Sequence, residues 1–264
     1  MNGILRRSGQ AWDEDLAGFV ATSPQGPPPW RHYCDTLHLD LLQRWAPSGP
    51  VDRVLKTDLF DEAAGDGLVA PLSDLAGQVV GIDLSTTAAV AAHGRGVRDA
   101  VRSDVRRLPF ADGAFDLVVS NSTLDHLPDV AAIDEALAEI LRVTRPGGVA
   151  IVTLDNPRCP TVAMRSVLPD RWLRATGLIP YEMGATLSLP ALERAVERVG
   201  FRVDDRTTYM HVLRVAAVRS ANRSRHPDEW VHRALRRERR ARRATAQLTG
   251  HFVAVRAVSP DVGR

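Results

Sequence analysis

Two rhythms of apolar residues alternate along the chain from residue 53 onward. Short unbroken apolar runs such as "QVVGID" (78–83), "FDLVVSN" (115–121) and "GVAIVTL" (148–154) do not alternate with polar positions. That is the pattern of parallel strands buried on both faces. Between them, apolar residues recur every three or four positions, most clearly in "EALAEILRV" (135–143), which "RPGG" stops. The pattern predicts strands at 53–60, 78–83, 98–104, 115–121 and 148–154, with helices starting near Gly67, Ser85 and Asp129. A further helix is predicted over 188–200, with Ser188 as N-cap and Gly200 as its stop. Strands near 201–209 and 250–258 follow it. Strand–helix alternation of this kind implies an α/β fold with an open, doubly wound sheet.

Three segments lie outside that rhythm. "SPQGPPPW" (23–30) is a proline-rich joint that cannot be a helix interior, and the helix predicted after it carries Leu37, Leu41, Leu42 and Trp45 on one face. Residues 1–48 are thus read as a helical cap and residues 49–264 as the main domain. Residues 156–188 carry Pro157, Pro160, Pro169 and Pro180 among Trp172, Tyr181 and two methionines, which suits a lid insert. Residues 219–246 form an arginine-rich helix, with ten arginines between 219 and 243. A solvated helix face explains them most simply; the alternatives are an anionic acceptor, a membrane surface or a partner.

Composition changes this picture little. The 264 residues are 44% hydrophobic and carry a formal net charge of +2, so a sizeable core is available and the whole chain lacks a nucleic-acid signature. Lys56 is the single lysine among 34 basic residues, a bias best read as GC-rich coding. Cys34 and Cys159 form neither a disulfide framework nor a metal-ligand spacing, and no leader or membrane span is evident. A cytoplasmic protein is expected, with no metal site.

The candidate chemistry lies at strand ends. "DEAAGDG" (61–67) places an acid, a small residue and two glycines between the first strand and the helix after it, where glycine lets a backbone approach a ligand closely. The second strand ends at Asp83, where a carboxylate can accept two ribose hydroxyls, and the third at Asp104. Three acids at successive strand ends face one edge of a parallel sheet. Lys56 and Asp58 share a strand face and suggest a structural ion pair near the start of the strand, or a brace for the loop.

From Asp104 through "LPFADGAFDLVVS" to "LAEILRVTRPGGVAIVTLDNP", the chain resembles the class I S-adenosylmethionine (SAM)-dependent methyltransferases, in particular a small-molecule, type-11-like branch. The likeness covers residues 53–155 well and the ends in outline. It implies a Rossmann-like, seven-stranded, mostly parallel sheet closed by a C-terminal antiparallel hairpin. It also implies SAM as cofactor, S-adenosylhomocysteine (SAH) as product, and methyl transfer to an O, N or C atom of a small-molecule acceptor in secondary or cell-envelope metabolism. On this pattern Asp61, Ala63, Gly65 and Gly67 form the loop beside the methionine portion, and Asp83 and Leu84 take the ribose. Asp104 and Val105 flank the adenine, while Ser120 and Asn121 open toward the sulfonium. Ala63 stands where the family has glycine, so right-handed or extended backbone is expected there.

His126, with Asp125 beside it, is the candidate base for a hydroxyl acceptor. Tyr33, Trp172 and Tyr181 are candidate walls of the acceptor pocket. His32 and His38 in the N-terminal helix are weaker candidates to cover it; His211 and His251 carry no motif. The expected partner is a small molecule and not a nucleic acid, with room for a homodimer. Alternatives are another SAM-dependent reaction, such as cyclisation or decarboxylation, and an RNA or DNA methyltransferase, although "SNST" replaces the latter's "NPPY"-type box. A nicotinamide enzyme is disfavoured by Asp104 and its loop, and a non-catalytic binding module by the three acids.

Overall fold

A computed structural model describes residue 13 and residues 29–65, 67–167, 184–212, 214–241 and 246–261. Trp172 and Tyr181, with residues 168–183 of the expected insert, lie outside the described residues. The strands are β1 (Val51–Lys56), β2 (Ala76–Asp83), β3 (Asp99–Arg102), β4 (Phe115–Asn121), β5 (Thr144–Asp155), β6 (Arg202–Tyr209) and β7 (Phe252–Val258). They form one seven-stranded sheet in the order β3-β2-β1-β4-β5-β7-β6. β7 runs antiparallel to both β5 and β6, and the remaining pairs are parallel. The order reverses between β1 and β4, so the ligand-binding crevice of such a sheet lies outside the carboxyl ends of those two strands.

The helices in chain order are α1 (Pro29–Trp45), α2 (Phe60–Ala64), α3 (Val69–Ser73), α4 (Thr86–Gly94), α5 (Val130–Val143), α6 (Pro160–Val167), α7 (Leu189–Arg198), α8 (Arg214–Asn222), α9 (Pro227–Ala241) and α10 (Ala246–Thr249). Because successive side chains of a strand point to opposite faces, each buried strand feeds two cores. Leu55, Val118 and Val152 pack with Ile133, Leu137 and Ile140 of α5 and Leu192 and Val196 of α7. Val54, Leu117, Val119 and Ile151 pack on the other side with Leu37, Leu41 and Leu42 of α1, Leu72 of α3 and Ala92 of α4. The unbroken apolar runs are thereby accounted for. Asp129 caps α5 through its side chain, and Ser85 caps α4; Ser188 stands at the N-cap of α7 without a side-chain cap bond.

Two expectations are corrected. β1 ends at Lys56 instead of running to residue 60, because the polar stretch "KTD" turns and α2 begins at Phe60. Lys56 therefore stands at the end of the strand, not near its start. The arginine-rich segment is also two helices, α8 and α9, separated at residues 223–226. These helices are inserted in the β6–β7 hairpin and cover α1. Its Trp45 indole donates to Asp205 (2.8 Å), Arg256 donates to the Trp45 carbonyl (2.7 Å), and the Tyr33 hydroxyl donates to Glu238 of α9 (2.9 Å). Burying Tyr33, Leu37, Leu41, Leu42 and Trp45 holds the cap in place, at about 1.5–3 kcal/mol per side chain.

Candidate functional site

The site is assembled from the carboxyl ends of β1, β2, β3 and β4 and from α1 above them. At the end of β1, the Lys56 ammonium is fully buried and meets Glu62 (2.9 Å), Asp58 (3.1 Å) and the Asp58 carbonyl (2.7 Å). Burial would lower its pKa, but the two carboxylates outweigh burial and raise it. Asp58 shows the converse balance: burial raises it to about 7 against the pull of Lys56.

Glu62 is also buried, and its second oxygen accepts the N–H groups of Leu68 (2.8 Å) and Val69 (3.2 Å). This carboxylate fills the space beneath the glycine turn. A Cβ on Gly67 would lie 2.4 Å from Glu62 Oε1, and Gly67 has φ +58°. Only glycine suits that position. Gly65 has extended backbone, φ −168°, which other residues also adopt. Ala63 is buried within α2, in the right-handed conformation expected of an alanine there. The acid–x–Ala part of the motif is therefore helical, and the sharp turn begins only after it.

Asp61 pairs with Arg31 of α1. Burial opposes its ionisation, yet the charges of Arg31 and Lys56 hold the carboxyl below its ordinary pKa. Asp83 accepts the N–H groups of Ser85 (2.8 Å) and Leu59 (3.0 Å), which tie the end of β2 to the β1 turn; burial raises its pKa. Leu84 is half-buried, its carbonyl taken by Arg102 (3.2 Å). Asp104, two residues past β3, carries a forked ion pair from Arg106 (Nη2, 2.6 Å) that outweighs burial and lowers its pKa; Val105 beside it is buried. Asp58, Asp61, Glu62 and Asp83 thus surround one edge within electrostatic reach of each other, whereas Asp104 engages its own loop.

The far side of the crevice is built by β4 and β5. Ser120 is fully buried with its hydroxyl unpartnered among the described residues. Asn121 is buried, accepts from Thr153 (3.0 Å) and approaches His38 Nδ1 with its amide nitrogen (3.4 Å). Ser122 has φ +53°, a strained value for a residue with a side chain. Its hydroxyl donates to Asp125 (2.8 Å), whose pKa is raised by burial. His126 ends the short turn Leu124–His126 half-buried, within electrostatic reach of Asp83 and Asp125. Gly184 packs on this turn, where a Cβ would meet the Leu127 carbonyl at 2.0 Å. Tyr33 is wholly buried with its hydroxyl on Glu238, which makes it a tether of the cap rather than an open pocket wall.

Arg31, Glu62 and the pairing of His251 escaped the sequence reading. Arg31 and Glu62 act on the glycine turn, and His38 of α1, expected only as a cover for the acceptor, reaches the end of β4. His251, just before β7, pairs with Asp155 at the end of β5 (3.3 Å). Hydrogen bonds from His251 and Thr161 lower the Cys159 thiol pKa against the effect of burial. Only the acid at position 62 had a local signal, its place immediately before a glycine turn.

These residues fit SAM. The glycine turn leaves backbone next to Asp61, a carboxylate stands at the end of β2 with lone pairs remaining beyond its two backbone bonds, and an orphaned hydroxyl lies at the end of β4. The departure is at Asp104, where an adenine amine would share the carboxylate with Arg106.

A family model described as "Methyltransferase domain" matches residues 60–152. Over those residues the chain is similar to a methyltransferase domain. It is 30% identical over 156 residues to a probable SAM-dependent methyltransferase of Mycolicibacterium smegmatis, covering 58% of this chain and 55% of that protein. It is 42% identical over 107 residues to a demethylmenaquinone methyltransferase of Beutenbergia cavernae, covering 39% and 40% respectively. The chain thus spans about half the length or less of the curated relatives it matches. Among solved structures, the N-methyltransferase NodS of Bradyrhizobium japonicum with bound SAH aligns with TM-score 0.58 at 16% identity, covering 94% of this chain and 98% of that one. The [4+2]-cyclase SpnF aligns with TM-score 0.60 at 20% identity, covering 96% and 97%. These two methyltransferase-fold likenesses concern the fold alone.

Proposed function

We propose that this chain transfers a methyl group from SAM to an oxygen, nitrogen or carbon atom of a small-molecule acceptor. The observation that carries this reading is the placement of Asp61, the Gly67 turn and Asp83 together at the switch point of the sheet. Bound SAM supplies an already electrophilic methyl. The protein's own contribution is alignment of the two reactants and exclusion of water. Asp83 would hold the ribose, Asp61 the ammonium of the methionine portion, and Ser120 and Asn121 the neighbourhood of the sulfonium. His126 and Asp125 serve as acid–base candidates for a hydroxyl acceptor, and α1 with the segment around 156–188 covers the acceptor.

A small acceptor is supported by the names of relatives: a demethylmenaquinone methyltransferase, and a ubiquinone biosynthesis O-methyltransferase of Bordetella pertussis, 32% identical over 136 residues and matched over 53% of its length. We place the reaction in secondary or cell-envelope metabolism and in the cytoplasm, where thiols such as Cys34 and Cys159 stay reduced. No helix among the described residues is long and apolar enough to cross a membrane. Incubation with methyl-labelled SAM and candidate quinols, phenols and amines, read by product mass, tests the proposal. A product heavier by one methyl-for-hydrogen exchange is expected. Rearranged product of unchanged mass would instead assign a non-methylating reaction to the same scaffold.

A further inference from the structure

We propose that Arg31 and His38, carried by α1, receive the carboxylate of the cofactor's amino-acid end. The assignment rests on the SAM reading above. The two residues are seven positions apart, two helical turns, so they share a face of α1. Arg31 lies on Asp61 of the glycine turn, and His38 lies on Asn121 at the end of β4. The helix therefore spans the crevice between β1 and β4 and presents a donor at each side of it.

The tautomer of His38 follows from a chain of hydrogen bonds. The Ser122 N–H donates to Thr153 Oγ1 (3.0 Å), and the Thr153 hydroxyl donates to Asn121 Oδ1 (3.0 Å). This fixes the Asn121 amide with its NH₂ toward His38 Nδ1 (3.4 Å). Nδ1 then accepts, and the ring proton resides on Nε2. Burial lowers the imidazole pKa to about 4, so the ring is neutral at physiological pH and is a donor rather than a base. Nε2 is buried and unpartnered among the described residues. A buried N–H without an acceptor is rare in a native protein and points to a ligand oxygen.

Together, a guanidinium, an imidazole N–H and the Asp61 carboxylate match an α-amino acid zwitterion: carboxylate toward Arg31 and His38, ammonium toward Asp61. Neither an apolar nor a purely cationic ligand group would satisfy all three.

Titration calorimetry on the full chain with SAH and with 5′-methylthioadenosine, which keeps the adenosine and thioether but lacks the amino-acid end, tests this directly. In His38→Phe, SAH affinity is expected to fall about tenfold while methylthioadenosine stays within about twofold of wild type. His38→Gln, whose amide nitrogen takes the place of Nε2, is expected to recover most of the loss. His38→Asn, whose amide nitrogen takes the place of Nδ1, is not. Arg31→Met is expected to show the same ligand selectivity as His38→Phe. Equal losses for both ligands, an unchanged SAH affinity, or Gln no better than Phe would overturn the proposal. Nitrogen-15 spectra of the ligand-free protein provide a second readout: a neutral Nε2–H ring at pH 7 is expected, and an Nδ1–H ring or imidazolium overturns it. Should the wild type bind neither ligand while the spectra show the Nε2–H form, the SAM reading fails, and this assignment with it; an Nδ1–H ring in a protein that binds SAH defeats the assignment alone.

Discussion

Replacing Lys56 with methionine removes the positive charge that faces the buried Glu62 carboxylate and the half-buried Asp58. Lys56 is fully buried between Glu62 (2.9 Å) and Asp58 (3.1 Å), and methionine approximates its volume, so packing changes little. Taking one partner out of a buried ion pair costs about 3–5 kcal/mol, because the remaining charge has no compensation. For a chain of this size that corresponds to a melting temperature lower by roughly 10 °C. The cost should depend on pH. Asp58 is already raised to about 7 by burial against Lys56, and without the lysine its folded pKa rises further above the unfolded value. Stability from such a group is full below the unfolded pKa and is lost as pH rises through the folded one. The deficit of Lys56→Met relative to wild type is therefore expected to be small near pH 5 and largest near pH 8. Glu62→Gln keeps an amide oxygen for the Leu68 and Val69 N–H groups. The double variant should therefore lose less than the sum of the two single ones. Urea unfolding of all four proteins at both pH values provides the measurement. A deficit independent of pH, or strictly additive losses, would refute a role for Lys56 as counter-charge of the turn.

The remaining expectations are narrower. Gly67→Ala should destabilise the protein and abolish SAH binding, since a left-handed alanine costs about 1–2 kcal/mol and its Cβ must displace Glu62. Gly65→Ala, with extended backbone and 3.6 Å to the nearest atom, should be tolerated; thermal shift and calorimetry compare the two. His38, buried neutral between the charges of Asp61, Arg31 and Lys56, has its pKa depressed to about 4. The unfolded chain then binds a proton that the folded one does not, and stability falls as pH drops from about 6.5 toward 4 by about 3 kcal/mol. His38→Gln should remove this part of the acid sensitivity, as unfolding curves between pH 4 and 7 would show.

The doubly wound sheet was legible because its strands are unbroken apolar runs and its helices repeat every three to four residues. Asp83 and Asp104 were readable as strand-end acids for the same reason. The glycine turn was readable in outline, but α2 was not: "LFDEAAG" is too short for a helical period to emerge, and the polar "KTD" concealed where β1 stops. Arg31 and His38 could not be located, because their partners Asp61 and Asn121 lie 30 and 83 positions away in the chain. Long-range contacts of that kind leave no local pattern. Tyr33 illustrates the opposite case: an aromatic in the cap looked like a pocket wall, and its contact with Glu238, 205 positions away, gives it a tethering place.

The central claim is that acids from separate strand ends converge on one adenosine-bearing ligand. Titration calorimetry of SAH against wild type and Asp83→Ala measures it most directly. A saturable one-site isotherm is expected for the wild type, with affinity at least tenfold weaker in the variant, since hydrogen bonds to a charged group contribute about 1.5–3 kcal/mol. Equal binding by the two proteins, or no binding by the wild type, would contradict the account.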